Sequence, residues 1–511
     1  MIARVACAAL LGIDAFRVDL EVDLARQGLP AFTMVGLAEG AVREAKERVF
    51  AALKNCGHRL PPSRITVNLA PADRRKGGSG YDLPLALALL GAAGVLPQEK
   101  LEGWHVVGEL SLTGELKPIP GILPMAILAR NEGAKGFIVP ADNAAEAAVV
   151  EGLNVYGVRT LGEVAGFLSG ETALSPTISD PADLRCEAAL SFLDFSEVKG
   201  QEHAKRAIEI AAAGGHNLLF LGPPGSGKTM LAQRIPTVLP PLSFEEALEV
   251  TKIYSVADML GHNQSLMTTR PFRSPHHTIS DVGLIGGGAY PRPGEVSLSH
   301  RGVLFLDELP EFKKPALEVM RQPLESGSVT ISRAAISLTY PADFMLVAAM
   351  NPCPCGYQTD DRHACVCSDF QIQRYRARLS GPLLDRIDLH VEVPAVPYED
   401  LRNESPGVTS AQMRTRIEAA RRLQSARYEG TPCVTNADLS GRWLEDFCRL
   451  GAAEHTFLGK AVNALALSAR AYTRILRIAR TIADLAEEES IAVPHIAEAI
   501  NCRTLDRQHA A

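Results

Sequence analysis

Eight consecutive residues, Gly222, Pro223, Pro224, Gly225, Ser226, Gly227, Lys228 and Thr229, spell a loop able to wrap phosphates. The glycines let backbone N–H groups turn inward, the lysine offers a point charge to the outer phosphates, and the threonine hydroxyl can ligate Mg2+. An apolar strand pattern, Asn217–Leu221, runs into the loop, and a helical pattern leaves it. That setting predicts a site for ATP with Mg2+; a chance glycine-rich turn is the plainer alternative. A second apolar run, Gly302–Leu306, delivers Asp307 and Glu308 at its end. Asp307 is expected to hold Mg2+ through water, and Glu308 to orient and deprotonate the attacking water. A solvated acidic strand end is the competing reading.

A third run, Phe344–Met350, ends at Asn351, whose amide can position the lytic water and sense the γ-phosphate. Asn often opens turns, so the assignment rests on its place as third element in order. Arg386, in Leu383-Leu384-Asp385-Arg386, fits an arginine that reaches a neighbouring subunit's γ-phosphate, or else a surface salt bridge with Asp385 or Asp388. Arg470, Arg474, Arg477 and Arg480 recur at helical spacing. Arg470 is the expected second sensing arginine, on a helical lid; a solvated basic face explains the other three equally well.

Four of the ten cysteines, Cys353, Cys355, Cys365 and Cys367, form two C-x-C pairs around a loop with Asp360, Asp361 and His363. Four thiolates can close a tetrahedral Zn2+ site, although this spacing is tighter than the commoner C-x-x-C. Reduced, unliganded cysteines and a redox role remain open. The other six cysteines are scattered, as in a reduced cytoplasmic protein.

These groups need a scaffold, and 511 residues are too many for one core. From Phe195 to about Pro394 strands and helices alternate as in a parallel sheet, giving a core at 195–394. Upstream, Phe16–Leu24 alternates strictly, so it reads as a half-buried strand. Val42, Ala45, Val49 and Leu53 mark a helix that Gly57 can end. Ile65–Leu69, Val106–Leu110 and Phe137–Val139 read as strands and Leu83–Leu90 as a buried helix, so residues 1–170 form one α/β domain. The opening Met1–Gly12 is only superficially like a secretory signal, its apolar run being short. Residues 171–194, rich in Ser, Thr, Pro and Asp, read as a linker, and 395–511 as a helical domain. With 46% hydrophobic and 22% charged residues and no apolar run of spanning length, a cytoplasmic location without membrane contact is expected. A net charge of −7 argues against coating nucleic acid with the whole surface, yet leaves room for a local basic channel. At 5% aromatic residues, broad base-stacking platforms are not expected.

The order of motifs, with Ser328-Val-Thr-Ile-Ser-Arg333 and Pro352-Cys-Pro-Cys-Gly356, resembles the magnesium-chelatase-like AAA+ proteins, and within them the ComM/YifB group. The resemblance covers essentially the whole chain. It implies a Lon-protease-like N-terminal α/β domain, an AAA+ P-loop ATPase core on a parallel sheet, and a C-terminal helical lid domain. It further implies a homo-oligomer, a hexameric ring, acting as a DNA helicase in branch migration on single-stranded or branched DNA. Natural transformation or recombination would be the setting. Two inserted stretches fit: Thr268–His300, carrying Arg270, Arg273, His276, His277, Arg292 and the Gly286–Gly288 run, and a β-hairpin at Val329–Tyr340. Related motors project both into the ring channel, so Arg270, Arg273 and Arg333 are the expected DNA contacts. Zinc binding by His276 and His277 is an alternative. Lon proteases pair a serine with a lysine; here the serine's place falls at Gly80, beside Ser79, and the lysine's at Leu123. Proteolysis is therefore not expected, and the domain reads as a scaffold or DNA-contacting module. Two other functions stay in view. One is a chelatase-type motor subunit, disfavoured by the N-terminal domain and by the lack of a D-x-S-x-S motif. The other is a regulatory or protein-remodelling ATPase.

Overall fold

The computed structural model describes residues 2–25, 29–178, 193–261, 264–288, 291–333, 336–360, 362–402, 407–503 and 505. The chain divides into two units, Met1–Ala189 with Phe244–Thr268, and Leu190–Ser243 with Thr269–Ala511. Of the expected linker, residues 179–192 lie outside the described residues, as does Asp361 of the cysteine loop.

In the first unit, the strict alternation at Phe16–Leu24 becomes the strand Asp14–Ala25, with Phe16, Val18, Leu20, Val22 and Leu24 buried. It pairs antiparallel with Arg64–Ala70 on one side and with Ile2–Leu11 on the other. Sequence reasoning missed Ile2–Leu11 as a strand because its apolar residues do not alternate; it lies inside the sheet, flanked also by Trp104–Val106. Gly136–Pro140 and Val155–Val158 extend the same seven-stranded sheet, with Ala31–Val35 at its other edge. The stretch expected as one strand at Val106–Leu110 is divided between Trp104–Val106 and Glu109–Leu110, the latter pairing in a small separate ribbon. The helix Asp82–Ala93 is buried from Asp82 to Ala92. Its buried carboxylate is held by Arg48, with contacts of 2.7 and 3.0 Å. Leu123 is fully buried.

The helix Phe244–Val256 falls within the stretch expected to be core, yet it packs in this first unit. Its Lys252 meets Asp14 at 2.6 Å, and Ser255 donates to the buried Glu146 at 2.5 Å. Hydrophobic period alone carries no information about which sheet a helix covers.

The second unit is built on a five-stranded parallel sheet in the order Phe272–Arg273, Val303–Leu306, Met345–Met350, Leu218–Leu221, Leu389–Glu392. The three middle strands are buried at every position, as continuous apolar runs in a parallel sheet should be. The strand at Phe272–Arg273 lies within the expected insertion, which therefore begins by completing the sheet's edge. Helices Ser410–Arg427, Ala469–Leu485 and Val493–Asn501 make up much of the tail. Their apolar faces, through Met413, Ile417, Ile475, Ile478 and Ile496, join one hydrophobic cluster with Leu218, Phe220 and Val347 of the sheet. Tail and sheet thus share a core.

Candidate nucleotide site

Leu218–Leu221, Val303–Leu306 and Met345–Met350 run parallel, so the phosphate loop, Asp307-Glu308 and Asn351 all leave the same edge of the sheet. Gly225 and Gly227 turn through φ of 74° and 91°, conformations that cost a side-chain-bearing residue more. Lys228 then opens the helix Lys228–Arg234. Its Nζ donates to the carbonyls of Gly222 (2.8 Å) and Pro223 (2.9 Å) and lies 3.3 Å from Oδ1 of Asn351. Burial pulls the Lys228 ammonium below its ordinary pKa, with Asp307 opposing. An ammonium stripped of water and held mainly by neutral dipoles gains strongly from an arriving phosphate.

Oγ1 of Thr229 donates to Oδ2 of Asp307 at 2.8 Å, bringing together the two oxygens suited to a divalent cation. The desolvated lysine and this oxygen pair fit a triphosphate with Mg2+. Glu308 adopts a left-handed φ of 53°, and its N–H donates to Oδ1 of Asp307 at 2.9 Å. A non-glycine residue held there is strained. His277 Nδ1 lies 3.2 Å from Oε2 of Glu308. Sequence spacing held no signal for this partner; the two histidines stood out only as paired zinc ligands. Their rings lie 4.1 Å apart, and they belong to no group of three ligating side chains among the described residues.

Arg386 and Arg470 are gathered elsewhere. The Arg386 carbonyl accepts from Nδ2 of Asn217, at the opposite end of the strand Leu218–Leu221 from the phosphate loop. About 15 Å of extended chain separates that end from Gly222. Its guanidinium pairs with Glu325, not with the adjacent Asp385 or Asp388, and donates to the Pro382 carbonyl at 2.5 Å. Arg470 takes Asp385 instead, at 2.5 Å. Burial, then the charges of Arg321 and Arg470, lower the Arg386 pKa, and its buried Nε has no partner among the described residues. Arg474 is not a solvated member of a basic face: it is largely buried and pairs with Asp388 at 3.1 Å. Arg480 is buried against Asp484.

The four cysteines converge, with every pair of Sγ atoms within 4.8 Å. Cys353, Cys355 and Cys365 lie 3.4, 3.7 and 3.6 Å apart, close to the edge of about 3.8 Å that a tetrahedron with 2.3 Å zinc–sulfur bonds requires. The Cys355 N–H donates to Cys367 Sγ at 3.4 Å. Backbone N–H groups of Tyr357 and Val366 hold the Cys355 thiol down to about 6.

The expected DNA-contacting arginines part company. Arg270 donates to the carbonyls of Pro240 and Arg301, both at 2.6 Å, and Arg273 is clamped by Glu295 at 2.6 and 2.8 Å. Both guanidinium groups are therefore engaged within the chain. Arg333 is exposed on the hairpin Ser328–Arg333/Ile336–Pro341, beside Gly287. The hairpin is seated on the insertion by Tyr340, which is buried and donates to the Pro291 carbonyl at 2.6 Å.

The sheet order and the phosphate loop facing an acidic strand end define an AAA+ P-loop protein. Family models agree: magnesium chelatase, subunit ChlI, matches residues 194–401, subunit ChlI of Mg-chelatase 20–143, and the ChlI C-terminal region 407–503. Competence protein ComM of Haemophilus influenzae is 46% identical over 507 residues, covering 98% of this chain and 97% of its own. The protein YifB of Salmonella typhimurium is 45% identical over 503 residues, covering 98% and 96%. This chain belongs to the ComM/YifB family of magnesium-chelatase-like AAA+ proteins. No helix among the described residues is long and apolar enough to cross a membrane.

Proposed function

We propose that this chain is an ATP-hydrolysing cytoplasmic motor that assembles as a ring, a hexamer, and moves single-stranded or branched DNA in competence-linked recombination. The observation that supports the proposal is the separation, along one sheet, of the expected phosphate-binding residues from the two expected sensing arginines. Lys228, Thr229, Asp307, Glu308 and Asn351 meet at one end, while Arg386 and Arg470 stand at the other, about 15 Å of strand away. On this reading Arg386 completes the site of an adjoining copy, and Arg470, held against Asp385 beside it, is the sensing arginine of the lid. Bound Mg-ATP supplies the scissile phosphoanhydride and the divalent charge that Thr229 and Asp307 would hold. Glu308 accepts the proton of the attacking water, Asn351 orients it, and Arg386 of an adjoining copy neutralises charge developing on the γ-phosphate.

The DNA assignment is supported by the name of the competence relative and by Arg333, whose exposed guanidinium suits phosphate backbone. The cysteine geometry supports one Zn2+ per chain, held by Cys353, Cys355, Cys365 and Cys367, and metal analysis of purified protein tests it directly. ATP turnover measured with and without forked DNA, over a range of salt, tests the motor. Stimulation that fades steeply as salt rises is expected. Turnover indifferent to DNA at every salt would overturn the DNA reading and favour chelatase-type or protein-remodelling work.

A further inference from the structure

We propose that the metal held by the four cysteines acts as a buckle that fixes Asn351 and the phosphate loop to each other, so that its loss stops hydrolysis rather than nucleotide binding. This rests on the zinc assignment above.

Asn351 is anchored on one side only by regular structure, the strand Met345–Met350. On its other side the described residues from Pro352 to Cys367 contain neither helix nor strand. A connection of that length beside a reaction centre needs some other constraint to hold a single shape. The thiols are placed to supply it. Cys353 stands two residues after Asn351 and is fully buried, and Cys367 immediately precedes Ser368, which caps the helix Asp369–Arg376. A bond through the metal therefore joins the sensor strand to that helix across the loop. Arg376 closes the same ring from the helix side, with its Nε 3.4 Å from the Pro352 carbonyl.

The buckle also reaches the phosphate loop. Gly356 is buried, takes φ of 88°, and its N–H donates to the Cys353 carbonyl at 3.0 Å. A methyl group added there would come within 2.6 Å of Cδ of Pro224 and 3.9 Å of Cγ of Asn351. The loop closed by the cysteines is thus pressed on a proline of the phosphate loop and on the sensing amide at once. Metal occupancy sets the distance between them, and nucleotide that shifts Pro224 strains the metal site in return.

Three preparations of the full chain separate the possibilities: the wild type, Cys365→Ser, and Gly356→Ala, which keeps all four ligands but wedges the loop off Pro224. Each is assayed for zinc per chain, ATP affinity and turnover, and the wild type and Gly356→Ala are also loaded with Co2+ in place of zinc. The wild type is expected to carry one zinc, and its cobalt absorption bands to move when ATP is added. Gly356→Ala should keep the metal, lose at least about tenfold in turnover with little change in ATP affinity, and lose the ATP-induced cobalt shift. Cys365→Ser should lose the metal and show the same kinetic split. Wild type without metal would end the zinc assignment and the buckle together. Bound zinc with wild-type turnover in Gly356→Ala, or cobalt bands indifferent to ATP, would overturn the buckle and leave the zinc site standing. The cobalt response does not depend on turnover, so it reads the coupling even if hydrolysis itself were absent.

Discussion

Nδ1 of His277 lies 3.2 Å from Oε2 of Glu308, so the carboxylate assigned to take the water's proton is tied to the stretch that follows the edge strand Phe272–Arg273. On the proposed assignment, the contact joins the inserted region to the chemical step by one side-chain pair. Glu308→Gln removes the base and should lower turnover by about 10²–10⁴ while ATP still binds. His277→Ala touches the base and not the phosphate, and should change turnover by less than about tenfold. Equal losses in the two variants, measured as steady-state phosphate release, would mean that the imidazole itself takes part in the chemistry.

A site divided between chains can be rebuilt from two broken ones. Arg386→Ala should bind ATP yet lose about 10³-fold or more in turnover, and Lys228→Ala should fail to hold the nucleotide. Mixed together, the first supplies an intact phosphate loop and the second an intact arginine. Phosphate release above the sum of the separate preparations is expected. A mixture no more active than its parts would exclude sharing of Arg386.

Among the arginines near the hairpin, exposure separates phosphate contact from internal support. Arg333→Ala should weaken DNA binding and reduce the slope of log K against log salt by about one. Arg270→Ala removes the donor to the part-buried carbonyl groups of Pro240 and Arg301 and should instead destabilise the fold, by about 1 kcal/mol or more. Salt-titrated binding isotherms and urea midpoints of the two variants check this; identical slopes for wild type and Arg333→Ala would count against DNA contact there.

Acid should loosen the second unit through Asp388. Burial alone would raise its pKa, but the hydrogen bond with His216 at 3.2 Å and the charges of Arg474 and Arg477 more than offset this and bring it to about 2. Since that lies below the unfolded value of about 3.9, the stabilisation is complete above about pH 4 and is lost as pH falls through about 2. It amounts to about 3 kcal/mol at neutral pH. The gap in urea midpoint between wild type and Asp388→Asn should therefore be wide at pH 7 and narrow markedly toward pH 2. A gap that stays constant over that range would show that Asp388 is not the titrating group.

Much of the site was legible because its parts are local. An apolar strand, a glycine-rich turn and a lysine opening a helix are neighbours in sequence, and parallel strands deliver their ends to one edge whatever surrounds them. The cysteine pairs were legible for the same reason: a short loop returns the second pair to the first. Ile2–Leu11 was not legible, because a strand inside a sheet need not alternate. The association of Phe244–Val256 with the first unit also escaped, because an amphipathic helix records that one face is buried and not what buries it.

By itself, then, the sequence determined the strand–loop–helix at Leu218–Arg234, the acids after Leu306, the amide after Met350 and the meeting of four thiols. Only the tertiary structure decided that His277 holds Glu308, that Arg270 and Arg273 are engaged internally, and that Arg386 takes Glu325 at the far end of the sheet. The physical reason is one of range. Backbone preference and hydrophobic period act over a few residues, whereas the partner of a long charged side chain is chosen when segments distant in sequence close on one another, and many pairings of similar energy are open to it until then.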